Sequence, residues 1–419
     1  INAGPAPGAV ANSIREDPHK PGLLYAATET QVWVSFDVGD HWHSLRLDMP
    51  AVSVRDIQVK DDSTCMCSDL VAGTHGRGFW ILDDLTPLRQ VEEAQAADLA
   101  YLFEPVTAVR VRFGMNDPTE WTKELPHGEN PPPGGIIDYY LARDVDGPVG
   151  IDILDAQGTV IRSYSSDDFR LEPDPALAPE GYDRICRDDP GAPNCRVPLY
   201  WPAPQMLVST RQGMHRFSWD LHFEPLGEEP RAGGGATGAV PHRTYPRVNA
   251  PWVPPGEYTV RLTVGGRTFT QPLSLRLDPR VTTPPEDLEL LASLSREMWD
   301  GATAANAAYE EARAMVAELE AMGTPEAAAR KAEVEALAPA PSPGGFGRFR
   351  RRGGAPAGPP NLQGVSQTMM SAAMAMQEAE VAPTARQVAS CEEALARYRE
   401  VMERWEALRS ASGSDGSGR

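Results

Sequence analysis

The sequence predicts a multidomain chain, mainly β with an α-helical carboxy-terminal part, and three observations predict it. A weak internal repeat occupies residues 1–95, with Thr28 recurring as Thr74, a step of 74 − 28 = 46 residues. Short alternating strands punctuated by Gly, Pro and Asp follow between Tyr101 and Pro279. From Thr282 onward the apolar residues recur at helical three-and-four spacing. A length of 419 residues accommodates two to four domains, and the composition shifts place them at 1–95, 101–280 and 284–410, with a tail at 411–419.

In the first segment, Leu24-Tyr25-Ala26-Ala27-Thr28 before Val32-Trp33-Val34 is echoed by Leu70-Val71-Ala72-Gly73-Thr74 before Phe79-Trp80-Ile81-Leu82. Each unit reads as a strand, a turn and a second strand, and a period of about 40–50 residues suits one propeller blade. Two blades cannot close a ring. The segment is therefore expected to be the end of a β-propeller, completed by upstream blades or by a partner. The opening at Ile1 and the Gly/Ala/Pro stretch to Ala11 agree with a start cut from something longer. Inside the first unit, Ser35-Phe36-Asp37-Val38-Gly39-Asp40-His41-Trp42 fits the Asp-box pattern S-x-D-x-G-x-x-W. Its chemistry reads as structural: Ser35 and Asp37 can hold backbone amides of a tight turn, Gly39 supplies a positive φ, and Trp42 packs between sheets. The acidic residues lack the alternating oxygen ligands of a calcium loop.

The second segment reads as a β-sandwich. Its expected strands are Val106–Phe113, Ile136–Leu141, Val149–Leu154, Val160–Ser165, Gly213–Phe223, Gly256–Val264 and Arg267–Arg276. In the fifth, His215, Phe217, Trp219, Leu221 and Phe223 alternate with Arg216, Ser218, Asp220, His222 and Glu224, so one face is core. Two long loops, Glu172–Pro204 and Pro225–Pro255, interrupt it as inserts or ligand loops. Cys186 and Cys195 bracket a turn-forming run, which is compatible with a small disulfide loop in an oxidising compartment or with free thiols.

The third segment reads as a small antiparallel bundle. Thr283-Pro284-Pro285-Glu286 and Thr384-Ala385-Arg386-Gln387 have capping-box form. Seams at Leu288, Leu291, Met298, Ala302, Ala305, Tyr309, Ala312, Val316 and Leu319, and at Val388, Cys391, Leu395, Tyr398, Met402 and Trp405, mark two long helices. Shorter helices are expected at Pro325–Leu337 and Val365–Val381, the latter contributing Met369, Met370, Ala373 and Met376. Between them 338–364 reads as a disordered Pro/Gly-rich loop, and the Ser/Gly-rich tail as flexible.

The acidic balance, 59 Asp and Glu against 39 Lys and Arg for a net charge of −20, excludes a general nucleic-acid binder. The Arg/Gly-rich run Phe346–Gly354 therefore reads as a solubilising loop or a contact for an acidic surface. No apolar run reaches the ~18 residues of a membrane-spanning helix. Binding chemistry concentrates at Thr74-His75-Gly76-Arg77-Gly78. There His75 and Arg77 emerge from a Gly-flanked turn that can take an anion or carboxylate, or can simply close the hairpin. His41 and His43 lack a third metal ligand. No metal site, cofactor or catalytic set is assigned.

The stretches Ser13–Pro18, Gly22–Glu29, the Asp box and Asp69–Asp84, continued by Arg216–Leu221 and Pro255–Leu262, resemble the end of the propeller in bacterial sialidase/sortilin-type repeat proteins, usually labelled glycosyl hydrolases. The resemblance implies a secreted or periplasmic protein of long propeller, immunoglobulin-like sandwich and carboxy-terminal helices. It implies carbohydrate, protein or peptide binding. The alternatives are a sialidase-like glycoside hydrolase whose catalytic residues lie in upstream blades, and an assembly module. An Asp box marks fold rather than catalysis.

Overall fold

The computed structural model describes residues 4, 9–62, 67–111, 128, 134–170, 172–173, 178–192, 195, 206–226, 249–340, 359–377 and 379–413. Among these it is a mixed chain of antiparallel sheets and seven helices, with the long helices in its carboxy-terminal part. It divides into two compact units: Ile1–Leu221 with Pro230–Pro246 and Pro255–Asp278, and His222–Glu229 with Arg247–Pro254 and Pro279–Arg419.

The first unit opens with two meanders. Strands β1 (Ala11–Glu16), β2 (Leu24–Thr28), β3 (Val32–Ser35) and β4 (His43–Ser44) pair in chain order, as do β5 (Val54–Asp62), β6 (Cys67–Thr74) and β7 (Phe79–Leu82). Their pairing registers are equivalent. Tyr25 faces Val34 and Ala27 faces Val32 in the first, while Val71 faces Ile81 and Gly73 faces Phe79 in the second. The apolar alternation of both units builds one core from Tyr25, Ala27, Val32 and Val34 against Val54, Ile57, Leu70 and Ala72. Each fully buried Val, Leu or Ile there contributes about 1.5–3 kcal/mol.

A buried polar knot ties the meanders to the short helix α1 (Thr86–Arg89). Arg89 Nε donates to both Asp17 carboxylate oxygens at 2.9 and 3.1 Å, and its Nη2 donates to Ser68 Oγ at 2.7 Å. Asp17 also accepts from Tyr25 Oη at 3.0 Å and from the backbone N–H groups of His19 and Lys20, both at 2.9 Å. Burial, with Asp17 beside it, pushes the Tyr25 hydroxyl far above its ordinary range.

After α2 (Val91–Ala96) come β8 (Ala100–Leu102), β9 (Ala108–Arg110), β10 (Gly135–Leu141), β11 (Val149–Leu154), β12 (Val160–Ser165), α3 (Pro179–Asp188), β13 (Gly213–Trp219), β14 (Gly256–Val264) and β15 (Arg267–Leu277). They form a three-stranded sheet, β13-β10-β8, and a five-stranded sheet, β12-β11-β14-β15-β9, in which only β15 and β9 run parallel. Trp219 against Tyr258 and Phe217 against Tyr164, with ring centroids 5.3 and 4.7 Å apart, join their inner faces. Two departures from expectation have physical reasons. Helix α3 occupies part of the expected loop Glu172–Pro204, because Pro179 at its first turn and one buried aromatic, Tyr182, suffice for a ten-residue helix. Strand β13 ends at Trp219, because Leu221 takes a positive φ of 61° that breaks the alternation. Its polar face is not left to solvent: Arg216 forks onto the buried Asp138 at 3.0 and 2.9 Å, and Ser218 is buried. Residues 112–127, 129–133 and 227–248, the last including Gly233–Gly235, lie outside the described residues.

The second unit is helical: α4 (Pro285–Met322), α5 (Pro325–Leu337), α6 (Leu362–Ala375) and α7 (Ala385–Gly413). The expected seam of α4 and the methionines of α6 make its core, with Met298, Ala302, Ala305, Ala312, Met369 and Ala373 fully buried. On α7 Cys391 and Trp405 are buried as expected, but Ala394 and Val401 take the places expected of Leu395 and Met402, which are only partly buried. Residues 222–226 and 249–254 join this unit. Phe223 stacks on Trp299 at 4.9 Å, and Gln377 Oε1 accepts from Trp252 N at 2.9 Å. Thr384 and Gln387 form a reciprocal capping box. Thr283 does not cap α4: the helix starts at Pro285 behind a Pro284 N-cap that has no polar side chain, and Thr283 Oγ1 donates to Glu380 O instead. Helix α7 continues through Gly413, into the expected tail. Of the loop expected at 338–364, residues 341–358, with the Phe346–Gly354 run, lie outside the described residues, and 362–364 are helical.

Candidate functional site

The Asp box forms the turn between β3 and β4. Ser35 Oγ, fully buried, donates to Asp37 Oδ1 at 2.9 Å and accepts from Gly39 N at 2.9 Å. Asp37 accepts from His41 N at 2.8 Å and from the His41 ring at 2.6 Å. These His41 bonds hold the Asp37 carboxyl down at about 2. Gly39 has a φ of 97° and lies against the Trp42 ring, which is half-buried. His41 is thus engaged by Asp37, and among the described residues no group of His, Cys, Asp and Glu is arranged to hold a metal ion.

The repeat brings a second set of residues together. Glu29 and His75 occupy the same place after Thr28 and Thr74, at the β2–β3 and β6–β7 turns. They meet at one loop end of the paired meanders. The Glu29 carboxylate accepts from Asn12 Nδ2 at 3.2 Å and from Arg55 Nη1 at 3.0 Å. His75 is tied there by its own N–H, which donates to Ser53 O at 2.8 Å. Ser53 Oγ, closed off from solvent, lies beside the same carboxylate without a hydrogen bond of ordinary geometry. Ser53 and Asn12, then the Arg55 and His75 charges, hold the Glu29 carboxyl below its usual range. The result is an exposed carboxylate acceptor flanked by amide and guanidinium donors, with the His75 side chain close by.

Arg77 is not part of that cluster. Its backbone closes the turn, accepting from Trp80 Nε1 at 3.2 Å and donating to Thr74 Oγ1 at 3.2 Å. Its guanidinium is exposed and has no partner among the described residues. Asn12, Glu29, Ser53 and Arg55 were not singled out from the sequence as binding residues. The signal that finds Glu29 is the repeat register itself, which maps it onto His75.

A third polar group lies at the end of β7. Asp69 and Asp83 flank the cross-strand pair Leu70–Leu82, with Lys60 Nζ 3.8 Å from Asp69. Burial, and then the neighbouring Asp69, push the Asp83 carboxyl up against the pull of Arg216. Cys186 and Cys195 are joined as a disulfide, and Cys391 is a buried free thiol. Cys65 lies outside the described residues. Among the described residues no helix is long and apolar enough to cross a membrane. No protein-family model, no curated protein and no solved structure matches this chain.

Proposed function

We propose that the two meanders are Asp-box propeller blades, that the two following sheets are an immunoglobulin-like sandwich, and that the chain works in carbohydrate or protein binding. The observation that carries this reading is the convergence of Glu29, Asn12, Arg55 and His75 at one loop end. A carboxylate with paired donors around it matches ligands rich in hydroxyl and amide groups, such as glycans and extended peptides. The equivalent registers of the meanders support the blade assignment. The Cys186–Cys195 bond supports a secreted or periplasmic setting, where disulfides persist.

The test is a glycan and peptide array probed with the full chain, followed by titration calorimetry on the best hit. Glu29→Gln and His75→Ala are each expected to weaken that hit at least tenfold, while Arg276→Ala, on a strand of the five-stranded sheet, leaves it unchanged. Binding indifferent to both loop-end substitutions refutes the site.

A further inference from the structure

The second meander has three strands where the first has four, and β7 is its outer strand. Because Thr74 N donates to Gly78 O, alternate cross-strand pairs follow from the hairpin, and Trp80 and Leu82 turn their backbone groups toward β6. The N–H and C=O groups of Phe79 and Ile81 therefore point away from the sheet. They have no partner among the described residues. Nothing on Phe79-Trp80-Ile81-Leu82 protects this edge: there is no Lys, no Pro and no bulge. The side chains add to the case. Phe79 is 81% and Ile81 55% exposed, although their equivalents in the first meander, Val32 and Val34, are 3% exposed within its core.

Strand alternation puts Phe79 and Ile81 on one face, with Arg77 in the turn before β7 and Asp83 directly after it, so the order along the edge is cation, apolar, apolar, anion. That order is self-complementary when read antiparallel. We infer that β7 pairs with β7 of a second copy of this chain about a two-fold axis at Trp80. In this register Phe79 lies opposite the partner's Ile81, so the outward backbone groups of both strands meet in about four hydrogen bonds. The long, exposed Arg77 side chain, leaving the turn at one end of β7, comes within reach of the partner's Asp83 at the end of its β7, twice over. The free guanidinium thereby reaches a carboxylate that lies among Asp69, Arg216 and Asp84. Shifting by one residue would set outward groups against inward ones, so charge and hydrogen bonding select the same register. The interface is isologous, as closed dimers require. A strand this short makes a concentration-dependent dimer rather than an obligate one.

Sedimentation velocity of the full chain at about 0.15 M salt, across roughly 1–100 μM, tests this. A monomer–dimer equilibrium is expected, and Arg77→Glu should raise its dissociation constant at least tenfold by facing like charges. A Phe79→Cys/Ile81→Cys double variant should cross-link to a covalent dimer under oxidising conditions, while either single variant should not, because opposed residues in such a pair have Cβ atoms about 4.5–5.5 Å apart. A chain monomeric throughout overturns the inference. So does a dimer indifferent to Arg77→Glu, or one whose double variant stays uncross-linked. Neither readout involves the Glu29 cluster, so failure here and failure of the proposed binding site are distinguishable.

Discussion

Replacing Asp17 by Asn removes one charge from the buried ion pair that ties the first meander to helix α1. The Asp17 side chain is fully sequestered and that of Arg89 is 13% exposed. The shape changes little, and the amide oxygen can still accept from His19 and Lys20. The amide nitrogen, however, is a donor set against the donating Arg89 Nε, and the guanidinium is left buried without its counter-charge. Breaking a buried pair in this one-sided way costs about 3–5 kcal/mol. At about 2–4 °C per kcal/mol for a unit of this size, the melting temperature should fall by roughly 6–20 °C. Differential scanning calorimetry of the full chain resolves this if the transition carrying the meanders is followed. Arg55→Ala, which breaks the exposed pair with Glu29, serves as the control and should give no resolvable shift. An Asp17→Asn transition within about 2 °C of wild type would refute the reasoning, since it would mean that Arg89 is rehydrated at no cost.

Two further predictions concern turns. Asp37 has its carboxyl lowered from 3.8 to about 2, so its bonds to His41 and Ser35 stabilise the fold above the unfolded value. That contribution is lost as pH falls from near 4 through 2, and Asp37→Asn should flatten the decline of melting temperature over this window. An unchanged profile would show that the Asp box adds nothing through ionisation. Gly134 adopts a φ of 124°, and a Cβ there would lie 2.0 Å from Trp219 O and 2.8 Å from Ser218 Oγ. Gly134→Ala should therefore destabilise by at least about 3 kcal/mol, since backbone strain and overlap with a backbone carbonyl add together. Urea unfolding with a wild-type midpoint would contradict this.

Much of the secondary structure was legible because its causes are local. Strands β11, β12 and β14 have the bounds their alternation and flanking turns imply, and the α4 seam buries most of the residues its spacing selects, whereas on α7 the buried line runs through Cys391, Ala394, Val401 and Trp405. The Thr384 box and the Ser35–Asp37–Gly39 turn need only residues within four positions of one another. Where a local rule had two solutions, it went astray. Thr283 and Pro284 both precede an acceptable helix start, and the Glu380 carbonyl drew Thr283 away from capping.

What only the tertiary structure decided depends on residues far apart in the chain. Asp17 meets Arg89 across 72 positions and Asp138 meets Arg216 across 78. No periodicity within either segment encodes such a meeting; it follows from sheet register and from which faces pack together. The same holds for residues 222–226 and 249–254, which read as the end of a strand and part of the long loop Pro225–Pro255 yet pack with the helices, where Phe223 finds Trp299. The candidate site stands between these cases. The repeat places Glu29 and His75 at equivalent turns, as the sequence by itself determines, but the pairing of β1 with β2 brings Asn12, and the packing of one meander on the other brings Arg55, to that carboxylate. Local hydrogen bonding and side-chain alternation act within a few residues, whereas the joining of separate elements is selected by the apolar area they bury together.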